Sequence, residues 1–367
     1  MQDTSDVNGP FAEQRDAFAG RLFESILGVM DIATVYLGDR LGLYQALSGS
    51  PASAPELATR TGLDARYVRE WLEQQAISGV LEVDDAAAGS ETRRYSLPGA
   101  HAEVLLDRDS LSFFAPMTRM LIASTAALPA IERSFREGGG VAYADYGADM
   151  HEGLASANRP MFLHLLGRDW LPAIPDVHDR LHADPPAKVA DIGCGHGWSS
   201  LAIARAYPSA RVDGFDLDVS SIARARHNAE AEGLADRVQF HVRDASDPAF
   251  AGQYDLVTAF ECIHDMSRPV EALRAMRGMA GSDGVVLVVD ERTAETFALP
   301  GDAMERFMYG ISVLHCLPVG MAEQPSVGTG TVMRSDTFRG YAIAAGFTDV
   351  EILPIENDFW RFYRLVN

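Results

Sequence analysis

Apolar residues at Leu22, Ile26, Val29, Met30, Ala33, Leu37, Leu41 and Leu43 recur at the spacing of one helix face. Ser53 is placed to cap a second helix running through Leu57, and Arg60-Thr61-Gly62 reads as a turn. Asp64 caps the next helix, which runs through Ile77 and ends at Gly79. Two short apolar runs, 80–83 and 93–97, then flank a polar tip and predict a hairpin. Helix, turn, helix and hairpin make a winged helix over 11–106. From 107 to 184 the pattern stays helical, broken by Gly138-Gly139-Gly140 and a tyrosine-bearing loop from Tyr143 to Gly147. This stretch is expected to be a connector that packs over the third section as a lid.

From 185 to 367 strands and helices alternate. Strands are predicted at 188–191, 211–216, 238–242, 254–260, 285–290, 349–355 and 359–365, with helices at 199–206, 220–232, 269–279 and 335–345. A helical segment at 302–316 leads into a stretch of mobile character up to Thr331. Alternation of this kind predicts an α/β fold with a doubly wound, Rossmann-like sheet of seven strands behind the winged helix. The last two strands have too short a connection for a parallel crossover, so they should pair antiparallel.

The chain has 367 residues and is 47% hydrophobic, enough for a sizeable core in two or three domains. Its net charge of −21 argues against binding nucleic acid or an anionic membrane. The second helix of the winged helix carries Arg66 and Arg69 but also Asp64, Glu70 and Glu73, so it lacks the positive face a duplex reader needs. Cys194, Cys262 and Cys316 form no disulfide framework or zinc spacing, and no metal site is expected. No basic-then-apolar leader opens the sequence, and the apolar runs fall short of the ~18 residues of a membrane span. A cytoplasmic protein is expected.

The strongest local signal is Asp191-Ile-Gly193-Cys-Gly195-His-Gly197, directly after the first strand. Glycines there permit a sharp turn and close approach of a ligand. The spacing is not that of the dinucleotide fingerprint, which needs its third glycine at position 198. A carboxylate before the turn opposes a pyrophosphate and suits a cation; S-adenosylmethionine (SAM) carries both an ammonium and a sulfonium. Asp216, with Leu217 beside it, ends the second strand, where a carboxylate can accept both ribose hydroxyls; Asp213 and Asp218 compete for that role. After the third strand, Asp244 can accept from an adenine amino group while Ala245 donates its N–H.

With these motifs, the section from 185 to 367 resembles the class I SAM-dependent methyltransferases. The whole chain is similar to bacterial members with a fused N-terminal winged helix, akin to the small-molecule O-methyltransferases. The resemblance implies cofactor contacts at Asp191, Gly193, Gly195, Asp216, Asp244 and the Phe260-Glu261 region, with Gly197 completing the turn. It also implies a homodimer formed through the N-terminal section, and a small, aromatic or heteroaromatic methyl acceptor. O-, N- and C-methylation stay open, since some related enzymes methylate carbon, including C3 of indoles.

In that family a His-Asp pair after the fourth strand supplies a general base. His264-Asp265 matches it, with Met266 where Trp is common. His264 is the candidate base, and a histidine that only packs beside the cofactor is the alternative; Glu261 could orient it or touch the cofactor. Tyr143, Tyr146, Tyr309 and His315 are candidates for lining the acceptor site. His196, inside the glycine turn, is read as a packing residue.

Overall fold

The computed structural model describes residues 9–243 and 250–367. The chain divides into two compact units, with the boundary between Ile122 and Ala123. The expected connector over 107–184 is therefore not a section of its own: its first part folds with the N-terminal unit and the remainder with the sheet.

In the first unit, a long helix, Pro10–Arg40, precedes short helices Leu43–Leu47, Ala54–Thr61 and Ala65–Ile77. Strands β1 (Glu82–Val83) and β2 (Tyr95–Ser96) then pair antiparallel. The predicted caps are present. Glu56 accepts the Ser53 N–H at 2.9 Å, and Asp64 accepts the N–H groups of Arg66 and Tyr67. Leu57, Leu72, Tyr44 and Tyr95 fill a core beneath the hairpin. The long helix buries only Ala12 and Gly38, and leaves Phe11, Phe18, Leu22, Phe23, Ile26 and Met30 exposed.

The second unit is built on one seven-stranded sheet. Its strands are β3 (Lys188–Ile192), β4 (Arg211–Asp216), β5 (Val238–Val242), β6 (Leu256–Phe260), β7 (Val285–Glu291), β8 (Asp349–Ile352) and β9 (Trp360–Val366). They lie in the order β5-β4-β3-β6-β7-β9-β8. The β5–β4–β3–β6–β7 run is parallel, and β9 is inserted antiparallel between β7 and β8, as the short final connection requires. Every residue of β6 is buried, as expected for a central parallel strand covered on both faces. Alternate side chains feed two cores. Val189, Leu256, Leu287 and Val289 face the helix Trp198–Ala206, while Ala190, Val257, Val286 and Val288 face Leu273 and Phe338.

Strand order reverses at β3, which has β4 on one side and β6 on the other. The connections leave the sheet in opposite directions there and open a crevice above the strand ends. The glycine turn leads from β3 into the helix Trp198–Ala206 at that point. Gly197 has φ +82°, and a Cβ on it would sit 2.4 Å from the Phe240 ring. Left-handed strain and overpacking therefore act together. We expect Gly197→Ala to lower stability by about 2–5 kcal/mol, read as a fall in the urea midpoint at unchanged slope.

Candidate active site

The turn is held from below. Asp191, at 1% exposure, accepts the hydroxyls of Ser199 and Ser200 at 2.6 Å each and that of Thr258 at 2.9 Å. The carboxylate expected to face a cation is thus enclosed behind the loop and occupied by three hydroxyls, and burial raises its pKa. Gly193 donates its N–H to the Phe215 carbonyl at 2.8 Å. Gly195 has φ +50° and nothing within 4 Å of where a Cβ would lie, so bare backbone borders open space. Its N–H donates to Asp216 Oδ2 at 2.9 Å, while Oδ1 accepts the Asp218 N–H at 2.8 Å. Asp216, rather than Asp213 or Asp218, is therefore the carboxylate tied to the turn. Asp213 instead binds His241 and Tyr254, and Asp218 caps the following helix. Leu217 lies exposed at the lip. His196 is half-buried, and burial pushes its pKa down to about 4. Asp244 and Ala245 fall outside the described residues.

Beyond β6 the chain bends through Glu261, at φ +51°. The Glu261 carboxylate accepts from the side-chain amide of Asn158 and from the indole of Trp360. Burial raises its pKa to about 7. Glu261, which could have oriented His264 or touched the cofactor, is thus hydrogen-bonded to Asn158 and Trp360 rather than to the imidazole. The Phe260 side chain packs on Phe162 within the core.

His264, 2% exposed, is oriented by residues the sequence reading did not single out. Its Nδ1 lies 2.7 Å from Asp290 Oδ1 and 2.8 Å from Glu291 Oε2, both at the end of β7. The shorter contact to Asp290 is the hydrogen bond; that to Glu291 is electrostatic. Burial opposes a charge on the ring, yet the two carboxyls outweigh it and raise the His264 pKa well above the ordinary value. Burial raises Glu291 strongly as well, whereas His264 keeps Asp290 low. Asp290 Oδ2 and Glu291 Oε2 are buried without a protein hydrogen-bond partner. The donor atoms of the three residues lie within 4.8 Å of one another, a spacing a metal ion would accept. The 2.7 Å contact between Nδ1 and Asp290 is that of a proton lying between the two groups. Asp265, the sequence neighbour expected to pair with His264, is instead a buried carboxyl with its pKa raised to about 6 by burial.

A ring cluster stands beside these groups. Tyr143 stacks on His151 at 4.1 Å, and His315 meets the edges of Tyr146 at 4.6 Å and Tyr143 at 6.0 Å. The Tyr146 hydroxyl donates to the Leu314 carbonyl at 2.9 Å. Burial raises the Tyr143 pKa, and Asp216, Asp265 and Asp218 add to the effect, so this ring lies among the acidic strand ends. Tyr309 is not brought to the cluster: its hydroxyl accepts from Arg334 at 3.2 Å, and its ring meets Phe297. Tyr143, Tyr146 and His315 therefore come together and Tyr309 does not. The helix widens into a π-turn over Ser312–Cys316, which alters the facing of residues beyond Tyr309.

Comparison with known proteins agrees with this architecture. Residues 189–284 match the family model described as Methyltransferase domain, and residues 30–108 match the Rv2258c-like winged HTH domain. The chain thus carries a methyltransferase domain joined to a winged helix-turn-helix domain. Ajmaline N-methyltransferase of Rauvolfia serpentina is 30% identical over 105 residues, 28% of this chain and 36% of that protein. Norajmaline N-methyltransferase of the same plant is 30% identical over 113 residues, 30% of this chain and 38% of that protein. The chain thus spans little more than a third of these curated relatives. Acetylserotonin O-methyltransferase of Mus musculus is 26% identical over 292 residues, 76% of this chain and 73% of that protein. The solved structure of the mitomycin 7-O-methyltransferase MmcR has a TM-score of 0.66 at 21% identity, covering 97% of this chain and 99% of that one. Human N-acetylserotonin methyltransferase in complex with SAM gives 0.66 at 16% identity, covering 100% and 99%. These structures show the shared fold.

His315 supplies a pH signature for the site. Burial pushes its pKa down to about 3, with His264 and His151 adding to the effect; Cys316, Tyr143 and Tyr146 complete its surroundings. Above pH 6.5 the ring is neutral both folded and unfolded. As pH falls below 6.5, the unfolded chain takes up a proton that the fold refuses, and stability is lost down to the folded-state pKa. We expect His315→Gln to remove this loss. Between pH 7.5 and pH 4.5 the wild type should lose about 2–3 kcal/mol more than the variant, measured from urea midpoints at the two pH values.

Proposed function

We propose that this protein is a SAM-dependent methyltransferase acting on a small aromatic or heteroaromatic metabolite, and that it works as a homodimer in the cytoplasm. The observation that carries the reading is the open backbone at Gly195, whose N–H is bound to Asp216 among buried carboxyls. A bare turn accepts the close approach of a nucleoside, Asp216 offers acceptor oxygens to ribose hydroxyls, and the negative strand ends favour a cationic group. Gly193, Gly195 and Gly197 shape the contact, Leu217 borders it, and Asp191 keeps the turn in place from behind. Asp244 and Ala245 stay proposed for the adenine end. SAM and its by-product are what two similar proteins were solved with, human N-acetylserotonin methyltransferase with SAM and PigF with SAH.

When bound, SAM supplies an electrophilic methyl group on a positive sulfonium, and the substrate must lose one proton for each methyl it gains. His264 is the proton-handling group. Asp290 fixes its Nδ1, so the other ring nitrogen is left for the reaction side. The alternative, a histidine that only packs, does not account for two carboxyls converging on one buried imidazole. Proximity and exclusion of water supply the remainder of the rate.

Binding of nucleic acid is not part of the reading. On the would-be recognition helix, Arg66 pairs with Glu70 at 2.5 Å and Arg69 with Glu91 at 2.7 Å; Arg93 pairs with Glu73 at 3.3 Å. Cations already matched by carboxylates offer little to phosphates. Among the described residues, no helix is long and apolar enough to cross a membrane. The three cysteines are all unpaired thiols, which suits a reducing compartment. The exposed apolar face of Pro10–Arg40 is the surface proposed for dimerisation.

Calorimetry with S-adenosylhomocysteine tests the cofactor reading. Wild type should release heat at micromolar ligand, and both Asp216→Asn and Gly195→Val should weaken binding at least tenfold; no heat from wild type would overturn the assignment. With an acceptor found by screening metabolite extract against methyl-labelled SAM, His264→Ala should lower turnover by about 10²–10⁴ at nearly constant cofactor affinity. The raised His264 pKa means that its base form accumulates with rising pH, so turnover should climb through and above neutrality. Light scattering should give twice the chain mass at micromolar concentration, and Ile26→Glu should shift it toward the monomer.

A further inference from the structure

The ring cluster holds one polar atom without a partner. His315 Nε2 is buried and makes no hydrogen bond, although His315 is itself only 2% exposed. Its other nitrogen, Nδ1, lies 3.5 Å from the Cys316 sulfur. Sulfur is a weak acceptor, and a thiol facing an imidazole nitrogen has its S–H to give. Burial keeps Cys316 a thiol rather than a thiolate, and its S–H has His315 Nδ1 as the acceptor within reach. An imidazole that accepts at Nδ1 and stays neutral carries its hydrogen on Nε2. The unpartnered atom is an N–H donor, enclosed by Tyr143, Tyr146 and His151.

We propose that His315 is the specificity-determining residue for the methyl acceptor: its Nε2–H, fixed by Cys316, binds a carbonyl oxygen or an unprotonated aromatic nitrogen of a planar substrate. This rests on the methyltransferase reading above and deepens it by naming a substrate class. A site with a buried N–H that only such an atom can satisfy rejects analogues lacking it, because the donor is then left unpaired. The surrounding rings suit a flat aromatic body, which stacks or meets them edge-on. Glycines bound the segment that carries the tyrosines. Gly138 and Gly139 on one side, and Gly147 on the other, have positive φ and flank the Tyr143–Tyr146 turn. Val141 is pinned by its N–H to the Pro318 carbonyl at 3.0 Å, and a Cβ on Gly140 would collide with that same carbonyl. The turn is thus anchored to the helix that carries His315 and Cys316.

Two measurements on the full-length protein test the proposal. Histidine ¹⁵N spectra should show His315 neutral at pH 7 as the Nε2–H tautomer. Cys316→Ser, which keeps a donor, should preserve that tautomer, and Cys316→Ala should mix the two forms. A wild-type ring in the Nδ1–H form overturns the inference without any ligand being needed. The second measurement titrates protein saturated with S-adenosylhomocysteine with 2′-hydroxyacetophenone and, separately, with 2-ethylphenol, two probes of similar shape that differ in the carbonyl. The carbonyl probe should bind about 10–100-fold more tightly and shift the His315 Nε2 resonance, and His315→Leu should abolish the difference. Equal binding of the two probes, or no binding of the carbonyl probe, overturns it. Absence of S-adenosylhomocysteine binding would sink the methyltransferase reading instead, and the tautomer would still be read from the first spectra.

Discussion

Negative charge gathered at one end of a parallel sheet is the constraint on which the site depends. Asp191, Asp216, Glu261, Asp265 and Glu291 are all carboxyls whose burial raises their pKa, and they sit at or just beyond the ends of β3, β4, β6 and β7. Several anions cannot share a low-dielectric edge without compensation. The fold answers each one differently. Asp191 receives three hydroxyl donors, Asp216 two backbone N–H groups, and Glu261 an amide and an indole. The cation that Glu261, Asp265, Asp290 and Glu291 share as a neighbour is His264. An edge so composed gains by admitting positive charge. That is why the proposed ligand is a sulfonium and not a pyrophosphate, although the topology of the crevice accommodates either.

Neutral rings and the acidic edge occupy adjoining ground. The segment 143–151 brings Tyr143 over the carboxyls of Asp216 and Asp265, while Tyr146 and His151 close around His315. Both long helices that pass this region are widened by π-turns, at Phe162–Trp170 and Ser312–Cys316. Such a turn leaves some backbone groups poorly paired and survives where side chains on either side must be re-aimed. Here the second one separates Tyr309, directed to Arg334, from His315, directed to the tyrosines.

Much of this was legible in the sequence because it was written in short-range patterns. Buried parallel strands appear as near-continuous apolar runs, so β6 and β7 stood out, and the capping residues Ser53 and Asp64 fixed helix starts locally. The glycine turn and His264 were visible for the same reason. What stayed hidden depended on register. His264 meets Asp290 only because β6 and β7 lie side by side and end at one level, which no spacing between residues 264 and 290 expresses. The adjacent Asp265 was the natural guess and faces elsewhere. Asp191 looked open to a ligand because Thr258 reaches it from a neighbouring strand and Ser199 and Ser200 from the next helix. Tyr309 was grouped with His315 because the two lie on one helical segment, and the π-turn that begins between them alters which way each faces.

The two buried histidines show how one environment sorts two tasks. Both are only 2% exposed, yet their affinities for a proton move in opposite directions. Desolvation acts on both rings. At His264 two carboxyls outweigh it; at His315 the neighbours are tyrosines, a thiol and other histidines, and it prevails. One ring is thereby suited to holding a transferred proton, and the other to staying neutral and reading shape and hydrogen bonding. Cys316, kept a thiol by burial, lies 3.5 Å from His315 Nδ1 and offers that ring a hydrogen without a charge. In the proposed mechanism, proton handling and substrate reading are thus carried by separate side chains on separate elements.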